Sequence, residues 1–287
     1  MRKGGGPDGC AHTLDEEGRM KIVRFVSEEG AGLYGAFEPG EPDRARVIEG
    51  DVLGRFTLTT RIAKIGRILP PVDPPNILAL GFSYGRHAGE TASRAPESPV
   101  LFIKGTNSLL GPGGTIFLPK AGPEEVDYEA ELALVIGKRA KNVSPEEAME
   151  FVLGYTCGND VSARDWQMRK QKQQWARGKS FDTFCPLGPF LVTKDEIPDP
   201  NRLRIRSILN GKVMQDSSTS DMLFPVAQIV SDLSRSMTLL PGTVIMTGTP
   251  EGVGFVRKPP VFLQHGDVIT IEIEKIGELT NPVEREP

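Results

Sequence analysis

The chain has 287 residues, 38% of them apolar and 25% charged, and a formal net charge of −4. That length builds one large domain, or one domain with a small companion, around a well-buried core. The charge gives no overall attraction for nucleic acid, and no apolar run approaches the roughly 18 residues a membrane span needs.

Residues 1–19, MRKGGGPDGCAHTLDEEGR, start with two basic residues but lack the apolar stretch of a secretory signal, so they read as a disordered tail. Gly4-Gly5-Gly6-Pro7-Asp8-Gly9 matches GxGxxG by letter, yet no strand precedes it and a proline interrupts it, which argues against a dinucleotide loop. From Met20 onward, KIVRFV, GLYGAF and RARVIEG read as short strands in a small β-rich N-terminal module over 20–70. The proline-dense LPPVDPPN is the linker into a larger domain over 71–287.

ILALGFSY then reads as a strand, and RHAGETASRAPESP as a polar segment with at most a short helix, expected to form a mobile lid. PVLFIK is a strand, followed by the turn-rich GPGG and by VDYEAELALVIGK. SPEEAMEFVLGY is expected to be a helix, with Ser144 as N-cap, Pro145 at the first helical position and Glu146 and Glu147 in the first turn. PFLVT, GTVIMTG and DVITIEIEKIG are strands, RLRIRSILNGKVMQ is a hairpin turning at Asn210-Gly211, and MLFPVAQIVSDLSR is a helix. Strands outnumber helices and do not alternate with them, which predicts a β-rich α+β fold.

The segment VDYEAELALVIGK carries the first chemical signal. Strand side chains alternate, so Asp127, Glu129 and Glu131 share one face while Tyr128, Ala130, Leu132 and Leu134 take the other. Three acids entering an apolar run are costly if buried unpaired. Either this end of the strand meets solvent with Lys or Arg across from it, or the acids hold a hard divalent cation. With only His12, His87 and His265 in the chain, a histidine-rich zinc site is not expected. GNDVSARDWQ supplies a further acid, Asp160, with Arg164, Asp165 and Gln167 close behind. Lys179, in GKSFD, adds a positive charge, and Trp166, Trp175 and Phe181 suggest partial burial of the region.

His87 and Glu90 stand at i and i+3, where a carboxylate can orient an imidazole and raise its basicity as a general base requires. The same spacing also suits a surface ion pair. RKQKQQWARGK reads as a solvated or anion-facing basic loop, and GKS lacks the earlier glycine of a P-loop. Cys10, Cys157 and Cys185 have no CxxC spacing and cannot all pair, which suits structural thiols in a reducing compartment, here the cytoplasm. Cys185 is placed in a loop before Pro186, and the sequon at Asn142 is expected to be idle.

Together VDYEAELALVIGK, GYTCGNDVSARDWQ, GKSFDTFCPLGP, LNGKVMQDSSTSDMLF and PGTVIMTGTPEGVG resemble the fumarylacetoacetate hydrolase family over about 75–276. With FVRKPPVFL, they look closest to the branch of fumarylacetoacetate hydrolase domain-containing protein 2. The resemblance implies a mixed β-sandwich roll, a homodimer, and Mg²⁺ or Mn²⁺ (Ca²⁺ being compatible) on Glu129, Glu131 and Asp160, with Asp127 not a ligand. It implies catalytic roles for His87, Glu90 and Lys179 and substrate contacts from Arg164, Gln167 and Thr249. Many members read Asn-Tyr before the lid histidine, where this chain has Ser83-Tyr84 and then Gly85-Arg86. The function expected is metal-dependent chemistry on a small 2-oxo acid, first C–C hydrolysis of an acylpyruvate-like substrate. Oxaloacetate decarboxylation or tautomerisation and hydroxymuconate-type isomerisation are the alternatives. A non-enzymatic metabolite-binding homologue is the rival, against which the retained His-x-x-Glu pair and acid triad argue.

Overall fold

The computed structural model describes residues 20–38, 40–90 and 95–287, Ala88 by its backbone alone. The expected disordered tail, residues 1–19, lies outside the described residues, as does part of the expected mobile lid, residues 91–94. The N-terminal segments form strands as read, β1 (Lys21–Ser27), β2 (Gly32–Phe37) and β3 (Arg44–Gly50). A fourth, β4 (Phe56–Ile68), has Thr, Arg and Lys at mostly exposed positions, which hides it from a hydrophobic pattern. Val23 and Phe25 face a small core with Ala45, Val47 and Ala63, while Ile22, pointing the other way, joins the main body.

Next in chain order come β5 (Ile77–Gly81), helix α1 (Gly85–Glu90), β6 (Val100–Lys104) and the short β7 (Leu109–Leu110) and β8 (Ile116–Leu118). The acid-bearing segment is not one strand but two, β9 (Val126–Asp127) and β10 (Ala130–Ile136). The break arises because the halves have different partners. β9 pairs with β12 (Ser162–Ala163), and β10 pairs with β11 (Val152–Asn159). Between them the Glu129 N–H turns to Asn159 Oδ1, 3.0 Å away.

The helix expected over 144–155 does not form. Its start signals are satisfied locally, with Ser144 Oγ 2.9 Å from Glu147 Oε2. Only one 3₁₀ turn follows, Ala148–Phe151, before β11 begins. Tertiary pairing overrides local propensity here: Tyr155 is fully buried opposite Leu134, and Gly154 lies so close to β13 (Cys185–Thr193) that a Cβ would meet Val192 O at 2.2 Å. Cys185, expected in a loop, opens β13, which starts before PFLVT because its first residues pair in parallel with β7.

The hairpin forms as anticipated, β14 (Arg204–Leu209) and β15 (Lys212–Ser218) about Asn210-Gly211. Helix α2 (Val226–Ser236) buries Ile229, Val230 and Leu233, each worth roughly 1.5–3 kcal/mol of apolar transfer. Strands β16 (Val244–Met246), β17 (Val268–Ile273) and β18 (Gly277–Arg285) complete the chain.

Two mixed sheets result. The larger runs β2-β3-β4-β1-β13-β11-β10-β16-β5-β6, and the smaller β15-β14-β17-β18-β8. The N-terminal strands join the larger sheet through β1 and β13, with Ile22 opposite Leu191. Leu132, Leu134 and Ile136 of β10 pack in one core with Ile205 of β14 and Ile271 of β17. Ala133 and Val135, on the opposite face, join a second core with Ile22, Ile77 and Leu191. The β-rich α+β reading therefore holds, with β10 covered on both faces. No helix among the described residues is long and apolar enough to cross a membrane.

Burial pushes the Cys157 thiol up and the Cys185 thiol up to about 12, and both are free. Both thiols therefore hold far less thiolate at pH 8 than an ordinary cysteine. Iodoacetamide is therefore expected to spare both in the native protein and to modify both after denaturation, as peptide mapping would record. Rapid native alkylation of either would contradict their packing.

Candidate metal centre and active site

The site forms where the N-terminal end of β10 meets the C-terminal ends of β11, β16 and β5. These strand ends deliver Glu129 and Glu131, Asp160, Gly248 and Thr249, and Gly81 and Phe82 respectively. Carboxylate oxygens of Glu129, Glu131 and Asp160 lie within 4.8 Å of one another, and all three residues are buried. The solvent-facing alternative is thereby excluded, although the cations it called for are present. Lys179 Nζ donates to Glu129 Oε2 at 2.7 Å and to Asp160 Oδ2 at 2.6 Å. Arg164 Nη2 donates to Glu129 Oε1 at 2.6 Å, and Lys104 Nζ donates to Asp160 Oδ1 at 2.6 Å.

Asp127 stands apart chemically. Its Oδ1 accepts from the N–H groups of Tyr128 and Gly254, and its Oδ2 from Arg164 and the Phe255 N–H. A carboxylate so occupied serves to fix Arg164, which also lies 4.3 Å over the Phe255 ring.

Glu131 is the least compensated of the acids. Its Oε2 accepts the Gly248 N–H at 2.7 Å, but Oε1 is buried with no hydrogen-bond partner among the described residues. Glycine is required at 248, where φ is +91° and a Cβ would lie 2.7 Å from Ser83 Cβ. Four carboxyl groups, those of Asp127, Glu129, Glu131 and Asp160, cluster with only three bases, Lys104, Arg164 and Lys179, and none of the three pairs with Glu131. Burial lowers Lys179 and Arg164, but their carboxylate neighbours raise them more: Asp160 and Glu129 outweigh desolvation for Lys179, as Glu129 and Asp127 do for Arg164, and both stay charged. For Glu129, burial is opposed and overcome by Lys179 and Arg164, and its carboxyl is held far below the usual range. For Glu131, burial and then the negative charges of Asp160 and Glu129 act together, and its carboxyl is pushed well above the usual range. An orphaned buried oxygen in an acid triad with fewer bases than carboxyl groups is the environment a hard divalent cation fits.

The lid pair reaches the same place. His87 and Glu90 line a cavity of about 380 Å³ together with Glu129, Arg164, Gln167, Lys179 and Thr249. Glu131 and Asp160 adjoin it through Glu129. His87 Nδ1 lies 3.4 Å from Glu90 Oε2, and Glu90 also accepts the Gly252 N–H. Burial would raise the Glu90 carboxyl, but His87 and that N–H outweigh it and hold it below the usual range. Backbone contacts anchor the start of the lid despite the Ser83 and Gly85-Arg86 departures. The Leu223 N–H donates to Ser83 O at 2.7 Å, and the Arg86 N–H to Asp221 Oδ2 at 3.0 Å. Phe82, Phe102 and Trp175 stack edge to face as one apolar wall of the cavity.

Of the nine residues to which the resemblance gives metal, catalytic or substrate roles, seven line this cavity, and Glu131 and Asp160 lie beside Glu129. Trp166, Trp175 and Phe181 are half-buried as expected, while the basic loop after Trp166 meets groups outside it: Arg169 pairs with Glu125, Lys170 with Asp165, and Lys170 and Arg177 cover the Trp166 ring. Lys104 was not singled out. Its signal is a lysine closing the apolar strand VLFIK, where it is 1% exposed, but nothing local distinguishes it from a strand-end charge reaching solvent. Gly248 and the anchoring role of Asp127 were likewise missed, since Gly248 meets Glu131 from 117 residues away and Asp127 meets Arg164 from 37 and Gly254 from 127.

Comparison with known proteins bears on the family and the fold. The family model described as fumarylacetoacetate (FAA) hydrolase C-terminal matches residues 76–284. A Xenopus laevis protein named oxaloacetate tautomerase fahd2, mitochondrial, is 49% identical over 92% of this chain and 90% of its own. A Dictyostelium discoideum protein named fumarylacetoacetate hydrolase domain-containing protein 2 homolog is 49% identical over 76% of this chain and 74% of its own. Among solved structures, 5-carboxymethyl-2-hydroxymuconate delta-isomerase from Mycobacterium smegmatis superposes with a TM-score of 0.82 at 42% identity, covering 93% of this chain and 100% of that one. A fumarylacetoacetate hydrolase from Exiguobacterium antarcticum gives 0.80 at 38% identity over the same shares.

Proposed function

The chain belongs to the fumarylacetoacetate hydrolase family, and on that premise we propose that it catalyses keto–enol tautomerisation of a small 2-oxo acid, oxaloacetate being the first candidate. The observation that carries this reading is the convergence of a proton-transfer pair, His87 and Glu90, with the buried acid triad on one cavity. The relatives' names favour this isomerase reading, carried above as an alternative, over C–C hydrolysis of an acylpyruvate.

Glu129, Glu131 and Asp160 would hold the cation, Mg²⁺ or Mn²⁺ with Ca²⁺ compatible, and its charge would lower the cost of negative charge on the 2-oxo oxygen. His87, oriented by Glu90, takes a proton from the carbon beside the oxo group. Lys179, kept cationic by Glu129 and Asp160, stabilises charge as it develops. Gln167 uses its carbonyl oxygen to accept from Arg164 Nη1 at 2.8 Å, so its amide hydrogens are left to meet a substrate carboxylate. Arg164 itself is committed to Asp127 and Glu129 and acts by holding the wall of the site. Return of the proton to the oxo oxygen completes the enol. If water were activated against a distal ketone instead, the same residues would serve C–C cleavage.

We also propose a homodimer, on family likeness, and a division of the chain at about residue 70. A reducing compartment fits the free buried thiols, and the names of the vertebrate relatives point to the mitochondrion rather than the cytoplasm expected from composition.

The test is an assay panel of enol-oxaloacetate, a hydroxymuconate-type substrate and acylpyruvates, with Mg²⁺ and Mn²⁺. Tautomerisation well above hydrolysis is expected, and the reverse ranking would restore the hydrolase reading. His87→Ala is expected to lower kcat by about a hundredfold or more with KM little changed, the usual contribution of a positioned general base. A near-normal kcat would remove His87 from the chemistry.

A further inference from the structure

Gln215 lies on β15, in the smaller sheet, and is 1% exposed. Its side chain ties three segments together. Oε1 accepts the Ala130 N–H at 3.0 Å, and Nε2 donates to Pro250 O at 2.9 Å and to Thr249 Oγ1 at 2.8 Å. A backbone N–H can only donate and a carbonyl can only accept, so Ala130 and Pro250 settle which end of the amide is oxygen and which is nitrogen. The second amide hydrogen is then directed at Thr249 Oγ1, which must accept it.

A hydroxyl has one hydrogen and two lone pairs. With a lone pair taken by Gln215, and no acceptor for the hydrogen among the described residues, Thr249 has its O–H left to offer to the cavity it lines. We infer that Gln215 is a positioning residue that makes Thr249 an obligate hydrogen-bond donor to an oxygen of the bound 2-oxo acid. The inference rests on the proposed function, since it assumes that the cavity holds such an anion. It adds a structural reason for selectivity: the smaller sheet, which supplies none of the acid triad, sets the polarity of one wall of the site.

The experiment is calorimetric titration of oxalate, a small dianion of adjacent carboxylates, into the magnesium-loaded full chain. Wild type, Gln215→Glu, Thr249→Val and the double variant are compared, with melting curves to confirm folding. Glutamate keeps the size of Gln215 and can still accept from Ala130, but once ionised it has no hydrogen to give, so the Thr249 O–H turns back onto it. Each single variant is expected to bind oxalate about tenfold more weakly or worse, the scale of a hydrogen bond to a charged group. The double variant is expected to lie within twofold of the weaker single, because both changes remove the same donor. Should Gln215→Glu fail to fold, Gln215→Met is read in its place. It frees the Pro250 carbonyl to capture the Thr249 hydrogen and should give the same loss. Oxalate affinity within twofold of wild type in a folded Gln215 variant, or losses that multiply in the double variant, would overturn the inference and leave the proposed function intact. If wild type fails to bind oxalate at all, the proposed function falls and takes this inference with it.

Discussion

Glu131→Gln is expected to abolish both magnesium-dependent activity and magnesium-dependent thermal stabilisation. Of the three triad acids, Glu131 alone has a buried oxygen without a hydrogen-bond partner among the described residues, and no base pairs with it directly. A ligand at a hundred times its dissociation constant adds about 2.7 kcal/mol to the native state, roughly 5 °C in Tm for a chain of this size. That increment should vanish in the variant, with activity below about 1% of wild type. The cation-free variant should nevertheless melt no lower than the cation-free wild type, because the substitution removes a charge that its neighbours oppose.

The pH dependence has a definite sign. The folded Glu131 carboxyl lies above its unfolded value, first through burial and then through Asp160 and Glu129. Its contribution to stability is therefore complete below the unfolded value of about 4.3 and is lost as pH rises through the folded value. The cation-free wild type should lose stability over that window, and the magnesium-dependent rise in Tm should grow over it. A Tm increment that survives in Glu131→Gln, or one independent of pH, would place the cation elsewhere.

Lys179→Met is expected to cut turnover by roughly a thousandfold while leaving Mg²⁺ bound. Lys179 bridges Glu129 and Asp160, so its removal makes the cluster more negative and should leave cation affinity equal or greater by calorimetry. Without the cation, two buried carboxylates lose their shared ammonium, a cost on the order of 3–5 kcal/mol. The variant should thus melt well below wild type in chelator and recover much of the difference in Mg²⁺. Loss of magnesium binding with unchanged turnover at saturating cation would reduce Lys179 to a support for the carboxylates.

The success and failure of the sequence reading share one physical cause, the range of the interactions involved. Alternation along 126–136 places Glu129 and Glu131 on one face, and this survives even though the strand breaks at Tyr128 and Glu129, because the break leaves the period of two intact. His87 and Glu90 meet because three residues on a helical turn bring side chains together. The Asn210-Gly211 turn closes its hairpin for equally local reasons. The helix expected over 144–155 failed although its cap formed: Ser144 and Glu147 make their contact, but the residues that should have carried the helix on pair with β10 and β13.

By itself, then, the sequence determined the β-rich class, the family and the chemical types at the site, since periodicity, turn residues and motif spacing are all read within a few positions of one another. Whether the acid face met water or a cation was decided only by the tertiary structure. That depends on Lys104, Arg164, Lys179 and the Gly248 N–H arriving from separate strands and loops to compensate every acid except Glu131 Oε1. The same holds for the hydrogen-bond polarity of Thr249, which Gln215 sets from the other sheet. Burial and donor direction are properties of assembled neighbours, and neighbours 34 to 117 residues apart leave no local pattern by which to find them.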